Sequence, residues 1–170
     1  GHGIAVDPTM SAGDRVWAIG DVTGIWPLTY VGKYQARIAA ANILGEHRRA
    51  SYDAVPRVVF CDPQAAAVGA TDGERVATVA MREIPRTATY TRAYAESNGF
   101  LILLSDGGRL TGAYALGPEA CEWLQQATLA IRAGIPLDVL TDTIQPFPTF
   151  SEIYVEALKA LRGEIAAKSK

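Results

Sequence analysis

Cysteine is scarce in this 170-residue chain: Cys61 and Cys121 are the only two, and neither belongs to a CxxC or CxxxxC pair. That excludes a disulfide scaffold, a zinc knuckle and a dithiol redox centre within these residues, and both thiols are expected to be buried small side chains. Histidine is as sparse, with only His2 and His47, both expected to be surface bystanders. No set of metal ligands is expected. No apolar run approaches the roughly 20 residues a membrane helix needs, and the first residues lack the basic-then-apolar order of a secretion signal. No membrane association and a cytoplasmic location are therefore expected. Neither sign of charge dominates, since 16 Lys and Arg stand against 18 Asp and Glu, and without a basic stripe nucleic-acid binding is not expected. No GxGxxG turn for a dinucleotide phosphate occurs. The opening "GHGIAVDPTM" has no initiator methionine and no element start of its own, so it reads as a cut in a longer protein, with Gly1 and His2 readable as a cloning remnant.

What is present is a 49% hydrophobic chain, enough for one domain with a core plus a fragment of another. "RVWAIGD" predicts a strand from Val16 to Ile19, stopped by Gly20-Asp21, which exposes a carboxylate at the edge where open parallel sheets bind ligands. A helix follows with Tyr34, Ile38, Ala41 and Gly45 on one face, and Ala39 and Ala40 allowing close packing. "HRRASYDAVP" reads as a linker. It separates residues 1–52, the last strand and helix of an α/β domain, from residues 53–170.

Strand-like runs dominate next: "RVVFCD", "AAAVGAT", "ATVAMREIP" and "TATYTRAYA". "GFLILLSDGGRLTGAYALG" predicts a hairpin turning at Asp106-Gly107-Gly108. A long helix over "EACEWLQQATLAIRAG" should carry Cys121, Leu124, Thr128 and Ile131 on one face and stop at Gly134. "PLDVLTDTI" reads as a short helical turn, and "TFSEIYVEALKALRGE" as the last helix, opened by a capping box of Thr149 and Glu152 and fraying over "IAAKSK". Asp106, Glu119 and Glu122 read as cap or surface residues, and Trp123, Leu124 and Ile131 as core or subunit contact. The expected fold class is α+β, an antiparallel sheet with helices packed on one side.

The pairing of "RVWAIGDVTG…PLTYVGKYQARIAAANI" with a C-terminal "PFPTFSE" resembles the C-terminal third of the pyridine nucleotide-disulfide oxidoreductases, flavoproteins that include dihydrolipoamide dehydrogenase, glutathione reductase and mercuric reductase. In that family a V-[FYW]-A-x-G-D strand closes the FAD domain, and a dimerisation domain of antiparallel strands and helices ends in H-P-T-x-[ST]-E. The resemblance covers almost the whole chain. It implies a partial FAD site, in which Asp21 accepts ribityl hydroxyls, Gly20 gives room, and the backbone at Leu28 and Thr29 lies against the flavin ring. Asp21 also admits a plainer reading as a turn or helix-capping residue. The resemblance further implies NAD(P)H as the electron donor of the intact protein, and a homodimer with Pro146 to Glu152 near its dyad, facing the partner's flavin.

Phe147 departs from the pattern. Disulfide-reducing members of the family have histidine there, held by a glutamate at the position of Glu152, as their acid–base group. Phenylalanine moves no proton. The leading expectation is an FAD-dependent NAD(P)H oxidoreductase that passes electrons directly to an acceptor such as a quinone, for which an aromatic ring offers a flat apolar wall. Two alternatives stay open: a disulfide or metal-ion reductase whose proton comes from elsewhere, and a dimerisation module that is inactive on its own.

Overall fold

Strand-forming runs with small residues at every second position give the C-terminal half its sheet. The computed structural model describes residues 3–84 and 98–168, the side chain of Lys168 excepted, and the chain divides into two compact units, Gly1–Tyr52 and Asp53–Lys170. The expected "TATYTRAYA" strand lies outside the described residues, as does His2.

In the N-terminal unit, β1 (Ser11–Gly13) and β2 (Val16–Trp17) form a small antiparallel ladder. The strand expected to reach Ile19 is therefore shorter and pairs antiparallel. Met10 at a φ of 69° and a register shift between Ser11 and Gly13 distort the partner strand, so that after Ala18 N–H reaches Met10 C=O the ladder stops. A 3-10 turn, Gly20–Thr23, leads to α1 (Thr29–Ile43). Its buried face carries Val31, Gln35, Ile38, Ala39 and Ala41, not the expected line through Tyr34 and Gly45. The helix ends before Gly45, and Tyr34 sits at the margin, where its hydroxyl accepts Ser51 N–H at 2.9 Å. Met10, Ile38 and Ala39 form the centre of this unit, with Trp17 and Tyr34 against them.

The expected linker is pinned down. The Asn42 side chain accepts Arg48 N–H at 3.0 Å and donates to Arg48 C=O at 2.8 Å, and Ala50 N–H bonds Pro8 C=O. A polar composition gave no sign of these specific bonds.

The C-terminal unit is a five-stranded antiparallel sheet of β3 (Arg57–Val59), β4 (Gln64–Gly69), β5 (Arg75–Ala80), β6 (Phe100–Ser105) and β7 (Leu110–Gly117), in the order β3-β4-β7-β6-β5. The register aligns two rows on the core face. One runs Val79, Leu101, Ala115, Ala66, Val58, and the other Ala77, Leu103, Ala113, Val68. Leucine on β6 thus meets alanine on β7, and over these rows lie Ala120, Leu124, Ala127, Ile153, Ala157 and Leu161 of the helical layer, all fully buried. The β6–β7 hairpin turns as expected: Asp106 Oδ1 accepts the Gly108 and Arg109 N–H groups at 2.8 Å each, and those amides hold its carboxyl below the usual carboxylate range.

The long helix expected after Pro118 is broken at Leu124 into α2 (Ala120–Trp123) and α3 (Gln125–Ala133), and Gly134 ends it at a φ of 60°. Ala120, Trp123, Leu124, Ala127 and Ala130 face inward, leaving Cys121 and Thr128 half-buried. Trp123 and Leu124 are core residues, and Glu119 occupies the N-cap position of α2 without a side-chain bond. A short α4 (Leu137–Asp142) precedes a 3-10 turn, Phe150–Glu152, and α5 (Ile153–Lys168). α5 continues to Lys168, into the stretch expected to fray, whose last two residues lie outside the described residues. The expected capping box does not form. The 3-10 turn brings Glu152 N–H to Thr149 C=O at 3.2 Å, and Thr149 Oγ1 donates instead to Pro146 C=O at 2.6 Å.

Candidate functional site

Two regions carry the residues of interest, one in each unit. In the N-terminal unit Gly20 begins the 3-10 turn at a φ of 72°, a left-handed conformation that suits glycine, and a Cβ built there would meet nothing within 4 Å. Its carbonyl accepts the Thr23 hydroxyl at 2.8 Å, and Gly24, also left-handed, closes the turn on Asp21 C=O. The Asp21 side chain is exposed and, among the described residues, takes no hydrogen bond. It therefore caps nothing: the N-cap position of this turn is Ile19. Leu28 is the extended N-cap of α1 and Thr29 its first residue, and no side chain caps that helix start. An exposed carboxylate, open space over a glycine and a helix start whose N-cap residue offers no side-chain acceptor fit a ligand that carries both hydroxyls and an electron-rich ring, as FAD does.

Sequence reading passed over Gln35, whose Oε1 accepts Gly20 N–H at 2.6 Å. Its signal was a polar residue between Val31 and Ile38 on the apolar face of a helix.

In the C-terminal unit the stretch between α4 and α5 leaves apolar side chains in water. Ile144 is 94% exposed and Phe147 60%, with Val139 and Val155 about half exposed on the flanking helices. The Phe147–Pro148 peptide is cis. A groove of about 240 Å³ opens beside this stretch, lined by Leu140, Thr143, Gln145, Val155 and Leu158. Glu152 Oε2 is buried and, among the described residues, has no hydrogen-bond partner. A carboxylate oxygen of this kind asks for a donor.

The thiols are not where composition put them. Cys61 is exposed and Cys121 half-buried. Cys121 donates to Gln64 Oε1 at 2.6 Å, and burial, followed by the Glu122 carboxylate, pushes its pKa up. His47 is exposed. Among the described residues no group of three His, Cys, Asp or Glu could hold a metal ion, and no helix is long and apolar enough to cross a membrane.

An antiparallel sheet backed by helices, with an apolar connecting stretch left in water, defines a layered α+β domain. Residues 55–158 match the family model described as the pyridine nucleotide-disulphide oxidoreductase dimerisation domain, and the chain belongs to that family. It is 35% identical over 161 residues to a dihydrolipoyl dehydrogenase of Chlamydia muridarum, a match covering 91% of this chain and 35% of the relative. A mercuric reductase of Shigella flexneri is 33% identical over 160 residues, covering 88% and 28%. The chain thus spans about a third of the length of the curated relatives it matches. Among solved structures, LpdA from Mycobacterium tuberculosis superposes with a TM-score of 0.79 at 25% identity, covering 92% of this chain and 36% of that one. The HOCl-induced flavoprotein disulfide reductase RclA from Escherichia coli, in its Cu(II) complex, gives 0.77 at 28% identity, covering 91% and 38%.

Proposed function

We propose that the chain is the C-terminal part of a homodimeric, FAD-dependent NAD(P)H oxidoreductase that reduces a disulfide or a metal ion. In this reading residues 1–52 complete the FAD-binding domain and residues 53–170 join two subunits. The observation that carries it is the similarity itself: matches to dihydrolipoyl dehydrogenases and a mercuric reductase cover about nine-tenths of this chain, and so draw on both units. When bound, FAD would accept electrons from the nicotinamide and pass them on. This chain's residues would bind and orient it: Asp21 receives a ribityl hydroxyl, Gly20 lets the ligand approach, and the backbone at Leu28 and Thr29 lies against the ring, with Thr29 N–H as the donor because Leu28 N–H is already bonded to Trp26 C=O. Glu152 keeps the position of the family's glutamate, but Phe147 supplies no proton, so the acid–base group of this reading comes from elsewhere. A cytoplasmic location goes with it.

Phe147 is also the observation that favours a second reading, in which electrons leave the flavin directly for a quinone stacked on an exposed ring. The names of the relatives weigh against it. Full-length protein supplied with NADH or NADPH and, in turn, a small disulfide, a mercuric salt and a quinone separates the two. Faster turnover of disulfide or metal ion is the expected result, and faster quinone reduction would replace the first reading with the second. Residues 1–170 alone, lacking a nicotinamide-binding turn, are expected to oxidise no NAD(P)H in the same assay.

A further inference from the structure

α1 carries a polar side chain that is entirely buried. Gln35 is 0% exposed, between Val31 and Ile38 on a face that apolar residues otherwise fill. Burying a primary amide is costly unless each end is bonded, and here each end is. Oε1 accepts Gly20 N–H at 2.6 Å; Nε2 donates to the Tyr52 hydroxyl at 3.0 Å and reaches Ile25 C=O at 3.5 Å. Backbone chemistry fixes which way the amide points, because Gly20 N–H can only donate and Ile25 C=O can only accept. Glutamate in its place would lack the donor, and methionine would leave both backbone groups unpaired.

The bond to Gly20 falls where the chain is little restrained by its own sterics. Gly20 has no Cβ, lies at a φ of 72°, and has open space where a side chain would stand. The next residue is Asp21, whose carboxylate is held by nothing else among the described residues.

We propose that Gln35 is a positioning residue of the flavin site: its amide fixes the Gly20–Thr23 turn to α1 and so sets where the Asp21 carboxylate meets the ligand. The inference rests on the reading that Asp21 contacts FAD, and the experiment tests the two separately. Full-length Gln35→Met, Gln35→Glu, Asp21→Ala and the Gln35→Met/Asp21→Ala double variant are stripped of flavin and titrated with FAD, following quenching of flavin fluorescence. Thermal unfolding of each apoprotein is measured in parallel.

Asp21→Ala and Gln35→Met are each expected to raise the FAD dissociation constant about tenfold, the effect of one lost hydrogen bond with a charged partner. The double variant is expected to be no weaker than the worse single, because Gln35 acts through Asp21. Apoprotein melting should fall for Gln35→Met and stay unchanged for Asp21→Ala. Gln35→Glu, which keeps the acceptor for Gly20, should bind FAD with intermediate affinity, and it carries the test should Gln35→Met not fold. Weaker binding in Asp21→Ala with unchanged binding in both Gln35 variants would overturn the positioning role, as would effects that multiply in the double variant. Unchanged binding in Asp21→Ala would overturn the flavin-site reading itself and the inference with it.

Discussion

Tyr154 is the largest fully buried side chain among the described residues. Its hydroxyl donates to Trp123 C=O at 3.1 Å, its ring meets the Trp123 indole edge-on at 6.4 Å, and Trp123 Nε1 in turn donates to Pro118 C=O at 2.8 Å. The chain of contacts ties the first turn of α5 to α2. Burial pushes the phenol's pKa above its usual value of 10.0. The folded protein therefore keeps a proton that the unfolded chain gives up, so this stabilisation is complete below pH 10 and is lost as pH rises beyond it. Tyr154→Phe is expected to lower stability by about 1 kcal/mol at pH 7 in a denaturant titration, and to flatten the loss seen above pH 10 in the wild type. Cysteine shows why such detail is hard to read in advance. Composition places thiols in cores on average, but Cys61 follows Val59 and Phe60 off the end of β3, where all three are exposed. Residue type gives the average environment, and only tertiary neighbours give the particular one.

Elements in the sheet depend on a division of volume. Ala113 and Ala115 on β7 are fully buried opposite Leu103 and Leu101 on β6, and their small side chains let α3 lie close to the sheet. Ala113→Leu would add bulk at a fully buried position, and should cost about 2 kcal/mol, measured as a lower denaturation midpoint with an unchanged slope. The hairpin has an electrostatic anchor as well. Because the Gly108 and Arg109 amides hold the Asp106 carboxyl below its usual 3.8, the turn's contribution is fully present above that pH and is lost as pH falls below it, through the lower value of the folded state. Asp106→Ala should accordingly narrow the stability gap between pH 7 and pH 3 relative to wild type. This hairpin was legible because its signals are local: a turn sequence between two apolar runs. The break at Leu124, the 3-10 start of α5 and the short β2 were not. The last two follow from bonds that the local pattern does not contain. Glu152 N–H is taken by the Thr149 carbonyl rather than its hydroxyl, and β2 has a distorted partner strand in the residues after Met10.

At the scale of the whole molecule, the apolar stretch between α4 and α5 is a feature that water disfavours. Ile144, Phe147, Val139 and Val155 are between 45% and 94% exposed within a short span, and Glu152 Oε2 nearby has no donor among the described residues. Covering such a patch with another protein surface removes apolar area from water at about 25 cal/mol per Å² and can bring a donor to the carboxylate. The position of Phe147 was legible through the resemblance, since a rigid Pro-Phe-Pro entry marked it. Gln35 was not, because its partners lie far along the chain and only the fold assembles them. A twofold interface on this stretch requires that the same side chains meet their own copies, so one charge per subunit enters the contact twice. Light scattering at about 10 µM should therefore give twice 18.1 kDa for the wild-type chain, whereas Ile144→Glu and Phe147→Glu should each give 18.1 kDa with an unchanged circular dichroism spectrum. If the wild type itself scatters as 18.1 kDa, a surface other than a second copy covers Ile144 and Phe147. If the glutamate variants stay dimeric, the interface lies on a different face and these side chains are free to meet a substrate.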